Sequence, residues 1–579
     1  MGILESKVWE KGDEDGGILS VLKLSYDHLP SHLKQCFAYC SIFPKNYKFD
    51  RLELVHLWMA QGFVQTRGRK RMEDVGTEYF NDLLDRSFFQ FVDGKFAIHD
   101  LMLDLAQLVS HCDQSILEIE GSPPETFLED AYQLRHLSLS INSTQLNRTS
   151  LEGLCRCRGL RTLAFNFHRS IKFQIPRDLF LRLNMLRVLD LSFGGLETLP
   201  DSVGILVHLR YLDLRGNNFT RLPESLCHLH LLQTLRLKGC DHINKLPQGF
   251  SNLINLRHLE AEPHLLSQVV GFGKLTCLQE LASFPISKRN GIKIEDLKDM
   301  NELRGMISIR NLQWVSGKEE ATQAMLSSKR YLRNLEMSWD GHVGRFELEE
   351  EILGALVPPS GLKELSIKCY DGLKFPSWME QQSLAMLESL CLSQWRNLNS
   401  LPLLWQRLPF LKTIELVGCP QLRYLPPLST ALRGLTIDDV GLEELPDFYQ
   451  PSDESFENST PSLSILSIKS CPALTSLKQG LLRCHLSHLT VLSIQDCRQL
   501  AEWPEGDEFR ATLLSVQKEL RLSGCPKLKA LPAGSTLSAS LEKVSVIDCP
   551  SVVDGSLFAH LQEGILAMHS QNLEVNPNY

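Results

Sequence analysis

Leucine and other apolar residues recur at a fixed spacing along the middle of the chain. The segments LRVLDLSFGGLETLP (186–200), LRYLDLRGNNFTRLP (209–223) and LQTLRLKGCDHINKLP (232–247) share the pattern L-x-x-L-x-L. Their central residues, Leu189, Leu212 and Leu235, and then Leu259 follow one another at steps of 23, 23 and 24 residues. A period of this length predicts that each repeat forms a short strand, with its leucines pointing inward, and stacks on the next repeat.

The turn that follows each predicted strand contains an asparagine in some repeats and a cysteine in others. Cysteine takes this position in six repeats, as Cys240, Cys419, Cys471, Cys497, Cys525 and Cys549. We interpret these residues as buried free thiols, since equivalent positions in stacked repeats do not converge on one metal ion. The pattern therefore predicts an α/β solenoid, a leucine-rich-repeat horseshoe, with no metal site.

The repeat pattern also suggests where the domains begin and end. We assign residues 131–579 to the repeats and residues 113–130 to a linker. The pattern weakens near residues 263–335, which we interpret as an insertion with a helix at about Glu319 to Arg330. The polar stretch from Asp447 to Ser462 contains serines and prolines and predicts an exposed loop.

Residues 17–112 follow a different pattern, in which apolar residues have helical spacing. Helices are predicted in ILSVLKLSYDHL, SHLKQCFAYCSIF and FDRLELVHLWMAQGFV, and from Met72 to Arg86. Asp50 and Glu53 have the spacing of a capping box, and Asp93-Gly94 predicts a hairpin turn. Several helices followed by a small hairpin predict a winged-helix domain that precedes the horseshoe.

The segment FAIHDLMLDLA (96–106) carries the clearest chemical signal in the winged helix. Its His99 and Asp100 lie where a predicted strand passes into a predicted helix. A helix N-terminus presents free N–H groups and the positive end of the helix dipole, so this junction can hold an anion.

A second set of candidate residues flanks the strand leucines and is predicted to line the concave wall of the horseshoe. Tyrosine, tryptophan and arginine often anchor interfaces. The candidate partner-binding residues are Tyr211, Asp213, Arg215, Arg236, Trp339, Tyr370, Trp395 and Arg521.

Composition narrows the functional classes. The chain has 579 residues, a formal net charge of −9 and 43% hydrophobic residues, which are typical of a folded protein and argue against nucleic acid as the partner. The acidic first fifteen residues contain no signal peptide, and no window has the apolar length of a membrane span. We therefore expect a cytoplasmic protein without stable membrane insertion.

The segments from LKLSYDHL to WMAQGFV, the later FAIHDLMLDLA and the leucine-rich array resemble the plant NB-LRR disease-resistance proteins of the coiled-coil class. LKDMNELRGMISIRNL (297–312) is also similar to the inter-repeat region of that class. The resemblance implies a non-enzymatic immune receptor whose repeats recognise a pathogen effector or a guarded host protein. It further implies a switch that holds ADP when off and ATP when on, and a possible pairing with the nucleotide-binding half of a related receptor.

By this resemblance the Met-His-Asp motif of the family falls on Ile98, His99 and Asp100. His99 would donate to the β-phosphate of ADP, and Asp100 would cap the next helix and hold the histidine in place. Residues 1–16 resemble the end of the helical subdomain that precedes the winged helix in the full-length receptors.

The sequence departs from the family in the nucleotide-binding core. The phosphate loop G-x-x-x-x-G-K-[ST] is absent, and the nearest match, VVGFGKLTC, has Gln268 and Leu275 at two of the required positions. We therefore expect this chain alone to bind ADP or ATP weakly or not at all.

Four alternatives stay open on the sequence. The first is a truncated adaptor or decoy that binds partners through its repeats without a switch. The second is a substrate receptor of a ubiquitin ligase, which the predicted hairpin disfavours. The third is an extracellular repeat receptor. The last is a winged-helix DNA binder, for which the basic run RGRKR (67–71) is the main support.

Overall fold

A computed structural model describes residues 15–66, 68, 70–110, 114–119, 133–141, 153–167, 174–289, 291–341, 344–380, 384–401, 408–448, 461–532, 535–538, 541–553 and 573–576. The chain divides into two compact units, Met1–Gln279 and Glu280–Tyr579. Most of the segment 1–16, part of the basic run 67–71 and most of the loop from Asp447 to Ser462 lie outside the described residues.

In the described residues, the first unit begins with five helices and a small antiparallel sheet. The helices are α1 (Asp15–Asp27), α2 (Ser31–Tyr39), α3 (Arg51–Gln61), α4 (Met72–Asp85) and α5 (Asp100–Val109). The strands are β1 (Lys48–Phe49), β2 (Gln90–Val92) and β3 (Lys95–Ala97), in the order β1-β3-β2. Asp93 and Gly94 turn the chain between β2 and β3 with φ of 50° and 78°, as the hairpin prediction required. The winged-helix prediction is confirmed.

One aromatic core holds the winged helix together. Trp58 of α3 and Phe80 of α4 are fully buried in it. The indole Nε1 of Trp58 donates to the carbonyl oxygen of Cys36 at 3.0 Å, so its polar atom is satisfied inside the core. A Cβ on Gly76 would lie 2.5 Å from Cγ1 of Val55, so the glycine allows α3 and α4 to cross closely.

Seven parallel strands form the sheet of the first unit, in sequence order from one edge to the other. They are β4 (Gln114–Ile119), β5 (His136–Ile141), β6 (Thr162–Phe167), β7 (Val188–Asp190), β8 (Tyr211–Asp213), β9 (Thr234–Arg236) and β10 (His258–Glu260). Two short helices, α6 (Leu179–Arg182) and α7 (Pro263–Leu266), lie between strands. Leu189, Leu212, Leu235 and Leu259 are in register, which confirms the repeat period.

The second unit continues the same architecture with twelve parallel strands, again in sequence order. They are β11 (Ser283–Pro285), β12 (Gly305–Arg310), β13 (Leu332–Ser338), β14 (Glu364–Lys368), β15 (Ser389–Ser393), β16 (Thr413–Cys419), β17 (Gly434–Val440), β18 (Ile465–Lys469), β19 (Val491–Gln495), β20 (Glu519–Ser523), β21 (Lys543–Ile547) and β22 (Leu573–Asn576). Its helices are α8 (Lys318–Thr322), α9 (Phe346–Ala355), α10 (Ser377–Glu380), α11 (Asp507–Ser515) and α12 (Pro550–Val553). None of the helices described in either unit is long and apolar enough to span a bilayer.

The asparagine and cysteine positions satisfy backbone groups inside the solenoid. Asn217 donates to the carbonyl oxygens of Leu191 and Leu214, and its Oδ1 accepts the N–H of Leu196. At the equivalent place one repeat later, Cys240 donates to the carbonyl oxygen of Leu214 at 3.0 Å. All six cysteines predicted at this position are buried and unpaired, as expected.

The stretch at 263–335, where the repeat was predicted to weaken, follows the last strand of the first sheet, and the second sheet begins inside it with β11 and β12. Two other local predictions are wrong. The linker at 113–130 contains a strand, β4, which pairs with β5. The helix expected at Glu319 to Arg330 is only the five-residue α8, followed by a 3-10 turn at Leu326–Ser328.

Candidate functional site

His99 is the N-cap residue of α5, at the junction that the sequence singled out. Its Nδ1 accepts the backbone N–H of Leu101 at 3.2 Å. With Nδ1 as the acceptor, the proton of the neutral ring sits on Nε2, which can then donate to another group. Asp100 is the first residue of the helix and does not cap it, so the expected capping role of Asp100 is wrong. Both side chains are exposed.

A second and larger polar site lies where the winged helix meets the first repeat sheet. Its centre is Glu73, in the first turn of α4, and only 4% of this residue is exposed. The carboxylate accepts from Arg257 Nε at 2.6 Å and Arg257 Nη2 at 3.0 Å. It also accepts from Gln279 Nε2 at 2.8 Å and contacts His258 Nε2 at 3.2 Å. We call these four residues the Glu73 cluster.

Both oxygens of Glu73 are thus bonded by side chains that come from the repeats. Although burial opposes ionisation, the hydrogen bonds from His258 and Arg257 hold the pKa of Glu73 well below its usual range. A buried carboxylate with this many donors stays charged at neutral pH. Removing it would leave the guanidinium of Arg257 without its paired charge.

His56 of α3 stacks on His258, with ring centroids 3.8 Å apart. Burial lowers the pKa of His56 well below its usual range, and the neighbouring His258, Arg236 and Arg257 act in the same direction. His56 is therefore neutral where it meets the repeats, so it adds ring contact to the Glu73 cluster without adding a positive charge.

A second ion-pair group joins α3 to strands β8 and β9. Glu53 Oε1 lies 2.9 Å from Arg236 Nη1 and 3.2 Å from Arg215 Nη2. Asp213, fully buried, lies 2.7 Å from Arg215 Nη2 and 3.5 Å from Arg236 Nη1. We call these four residues the Glu53 cluster. Each guanidinium of the cluster faces both of its carboxylates, and Arg236 Nη2 also lies 3.0 Å from Glu260 Oε1.

Asp190 of β7 lies one strand away from Asp213. Its Oδ1 accepts the backbone N–H of Ser192 at 2.9 Å. Burial and the charge of Asp213 raise the pKa of Asp190 to about 7. This face of the sheet is thus dense in ionisable groups that the winged helix covers.

A third contact involves neutral groups. Thr162 Oγ1 of β6 lies 3.2 Å from Tyr39 Oη, accepts from Gln61 Nε2 at 2.7 Å and lies 2.9 Å from His136 Nδ1. The ring of His136 packs edge-on against Tyr39, with centroids 5.1 Å apart. Burial and the charges of Arg161, Arg135 and Arg187 lower the pKa of His136 to about 3.

Four of the predicted partner-binding residues, Tyr211, Asp213, Arg215 and Arg236, therefore lie under the winged helix of the same chain. Tyr211, Asp213 and Arg236 are buried. They were predicted to face a partner on the concave wall, but the structure places them against the same chain, because α3 packs on β7 and β8 and supplies Glu53.

Three more candidates, Trp339, Tyr370 and Trp395, are buried at 2%, 1% and 1% exposure. They follow strands β13 to β15, and their rings pack in series, at centroid distances of 5.3 Å and 4.7 Å. The prediction that they face a partner on the concave wall is wrong, because they point inward after the strand, as the cysteines do. Arg521 remains on the strand face, 3.4 Å from Glu519 and partly exposed.

The two glutamates that join the winged helix to the repeats, Glu53 and Glu73, were not predicted from the sequence. An acidic residue in the first turn of a helix is usually explained by the helix dipole, and both Glu53 and Glu73 lie in first turns. Glu53 also had a predicted capping role, but the structure gives Asp50 no side-chain cap hydrogen bond. No local signal shows that these carboxylates instead pair with arginines more than 160 residues away.

Family comparisons agree with both parts of the fold. The model of the disease resistance protein winged helix domain matches residues 42–106. A leucine-rich repeat model matches residues 184–243, and the model of R13L1/DRL21 LRRs matches residues 294–419.

Curated relatives match over nearly the whole chain. RPP13-like protein 1 of Arabidopsis thaliana is 32% identical over 604 residues, covering 99% of this chain and 56% of that protein. Disease resistance protein RGA2 of Solanum bulbocastanum is 32% identical over 558 residues, covering 92% of this chain and 52% of that protein. This chain spans about half the length of these relatives. With its winged helix and leucine-rich repeats, the chain belongs to the family of plant disease-resistance proteins.

Proposed function

We propose that this chain is the repeat-bearing portion of an intracellular plant immune receptor, acting in defence by binding and not by catalysis. In this proposal, the repeats of the first sheet hold the winged helix in place and so restrain an ADP/ATP switch. The strand face of the second unit recognises a pathogen effector or a guarded host protein.

The proposed restraint of the winged helix rests on the pairing of Glu73 and Glu53 with arginines of the repeats. A switch that moves the winged helix must separate these charges, and each separation leaves a buried group without its partner. The clusters therefore favour the arrangement in which the winged helix stays docked. A partner that binds the repeats can shift this equilibrium only by preferring the undocked arrangement.

The geometry at His99 fits a phosphate contact. The ring is exposed at a helix N-terminus, and its Nε2–H is left free to donate because Nδ1 already caps the helix. One donor at one helix end gives weak binding, so most nucleotide contacts would come from a nucleotide-binding half. This supports a role for His99 in sensing ADP in a longer receptor, with weak or no binding by this chain alone.

The partner surface is proposed on the second unit because its strand face carries exposed side chains. Ile465 is 45% exposed at the start of β18, Glu415 is exposed in β16, and Arg521 is partly exposed in β20. A strand face that mixes apolar, acidic and basic side chains has the composition of a non-obligate protein interface.

The test is a chimeric receptor expressed in leaves. The region of RGA2 that precedes its match is fused upstream of this chain, and spontaneous cell death is scored. We expect Glu73→Gln and His99→Ala to increase cell death over the parent chimera. Glu78→Gln is the matched control, because Glu78 lies on the same helix as Glu73 and its ion pair with Lys70 is exposed.

Parent-level cell death in both Glu73→Gln and His99→Ala, at equal protein levels and in a chimera that responds to a known activating change, would contradict the proposed switch. The switchless adaptor or decoy would then be the better account. In that case, proteins captured by the repeats should not depend on Glu73.

A further inference from the structure

A small cavity opens on the second unit, beside the segments that follow strands β16, β17 and β18. Its volume is about 140 Å³. That is more than the about 10–15 Å³ needed to hold one water molecule and less than the about 300–1,000 Å³ of pockets for drug-sized ligands. The cavity therefore has the size for a single side chain. We call it the Tyr424 cavity, and it is lined by Tyr424, Leu425, Pro427, Glu444, Leu445, Pro446, Asp447, Gln479 and Gly480.

Backbone contacts between three consecutive repeats hold the walls of the Tyr424 cavity in place. The N–H of Leu428, after β16, donates to the carbonyl oxygen of Asp447, after β17, at 2.8 Å. Gly480, after β18, has a φ of 83°, and a Cβ on it would lie 2.1 Å from the carbonyl oxygen of Leu445. The glycine thus lets the third repeat approach the second closely. The cavity is therefore a preformed part of the solenoid.

Tyr424 gives the cavity an aromatic wall, and its hydroxyl fixes the position of the ring. Tyr424 Oη donates to Glu443 Oε2 at 2.6 Å, and Glu443 Oε1 pairs with Arg423 Nη1 at 2.5 Å. These contacts hold the ring in place although 54% of Tyr424 is exposed. An aromatic ring held in this way can receive a flat cationic group on its face.

The charged residues that line the Tyr424 cavity are acidic. Glu444 and Asp447 lie after β17 and are exposed, and none of the described residues that line the cavity is basic. A cation in the cavity is attracted to both carboxylates, while its apolar stem can contact the leucine and proline side chains of the wall. This combination suits a guanidinium, because its planar group makes forked hydrogen bonds to carboxylates and stacks on aromatic rings.

We propose that the Tyr424 cavity binds the side chain of an arginine from a protein partner. The proposal rests on the proposed function, in which the second unit recognises a protein, and it names one chemical feature of that protein. A lysine keeps the charge but has neither the fork nor the flat face, so it should bind more weakly.

The test uses the whole chain and three capped tripeptides, in which arginine, lysine or citrulline stands between two glycines. Binding is measured by titration with saturation-transfer difference NMR. Citrulline keeps the shape of arginine but carries no charge, so its peptide should bind at least about tenfold more weakly than the arginine peptide. The lysine peptide should bind at least about threefold more weakly. Added salt should weaken binding of the arginine peptide, because the carboxylates are exposed.

Variants locate the binding in the cavity. Glu444→Gln/Asp447→Asn should bind the arginine peptide at least about tenfold more weakly and melt like the parent, because both side chains are exposed. Glu508→Gln, which removes an exposed carboxylate from α11 of the same unit, is the matched control and should bind like the parent. The proposal is overturned if the arginine peptide does not bind, if the citrulline or lysine peptide binds equally well, or if Glu508→Gln weakens binding as much as the double variant.

The cavity and the proposed switch can fail separately. Glu73 lies outside the cavity, so Glu73→Gln should bind the arginine peptide like the parent. If the arginine peptide does not bind but Glu73→Gln still increases cell death in the chimera, only the cavity proposal is overturned. If the peptide binds as expected but Glu73→Gln and His99→Ala leave cell death at the parent level, only the switch is overturned.

Discussion

The two repeat sheets share a register but use their strand faces differently. In the first sheet, strands β7 to β10 are three residues long, and several residues beside their leucines, among them Tyr211, Arg236 and His258, are large, buried and part of the contact with the winged helix. In the second sheet, strands β14 to β21 are five to seven residues long, and their middle outward positions are mostly small or polar, as at Ser366, Thr436 and Ser467. Tyrosine and arginine often anchor protein partners, but in the first sheet they form an interface within the chain.

Residue type alone does not show whether a solenoid face binds a partner or another part of the same chain. Tyr211 and Arg236 look like partner anchors, yet their partner is α3 of the same chain. Trp339 and Trp395 of the second unit look similar in sequence but fill its interior. Where the winged helix docks therefore decides which sheet remains open to another protein.

The largest expected effect is a loss of stability in the core of the second unit. Trp395→Ala removes a buried ring that packs on Tyr370 and donates from Nε1 to the carbonyl oxygen of Ile367. We expect a loss of about 3–5 kcal/mol of local stability, read by hydrogen exchange in peptides of β14 to β16. Trp314→Ala, at an exposed tryptophan, should cost under about 1 kcal/mol. Equal losses would mean that the aromatic series is not core.

The next effect concerns the docked winged helix. Glu73→Gln keeps the shape of the side chain but leaves Arg257 without its charge partner, so we expect a loss of about 3 kcal/mol. Hydrogen exchange should quicken in α3, α4 and β10, while peptides of the second unit stay unchanged. Glu78→Gln is the control, with an expected loss below about 0.5 kcal/mol. Unchanged exchange in α4 would contradict the docking account.

Two buried groups, His136 of β5 and Glu349 of α9, should contribute to stability in opposite directions as pH falls. The folded pKa of His136 is about 3, below its unfolded value of about 6.5, so its contribution to stability is lost as pH falls below about 6.5. Burial raises the pKa of Glu349 to about 7, so its contribution to stability is gained as pH falls from about 7 toward 4.5.

Each of these groups contributes a slope of at most about 1.4 kcal/mol per pH unit. The measurement is hydrogen exchange corrected for intrinsic rates at pH 7.5, 6.5 and 5.5, in peptides of β5 and of α9. Glu349→Gln should remove the acid gain in α9 and leave the response of β5 unchanged. The same direction of response in both peptides would refute the assignment.

The smallest expected effect on stability comes from substitutions on the strand face of the second unit. Glu415→Gln and Arg521→Gln change exposed or partly exposed side chains, so each should alter stability by less than about 0.5 kcal/mol. If the second unit is the partner surface, these variants weaken capture of the partner without quickening exchange anywhere. A large loss of stability would show that these residues serve a structural purpose.

The repeating parts of the fold could be predicted because periodicity alone defines them. The spacing of Leu189, Leu212 and Leu235 fixes both the inward face and the strand register. Asp93-Gly94 fixes the hairpin because both residues adopt positive φ. The strand β4 was missed because it lies before the regular repeat begins.

The candidate site was predicted only in part. His99 was found because it marks a strand-to-helix junction, but its use as the cap was not expected. The Glu73 and Glu53 clusters depend on long-range pairing, which leaves no local pattern in the sequence. Trp395 points inward because it follows β15 after a turn at Gln394, which has a φ of 59°, and residue type alone does not predict this turn.

The central claim is that the repeats hold the winged helix through Glu73. The most direct measurement is a double-mutant cycle with Glu73→Gln and Arg257→Gln, read as the free energy of opening of α4 by hydrogen exchange. The account predicts a coupling energy of at least about 1.5 kcal/mol, as for close charge pairs. Additive effects, with a coupling energy near zero, would contradict it.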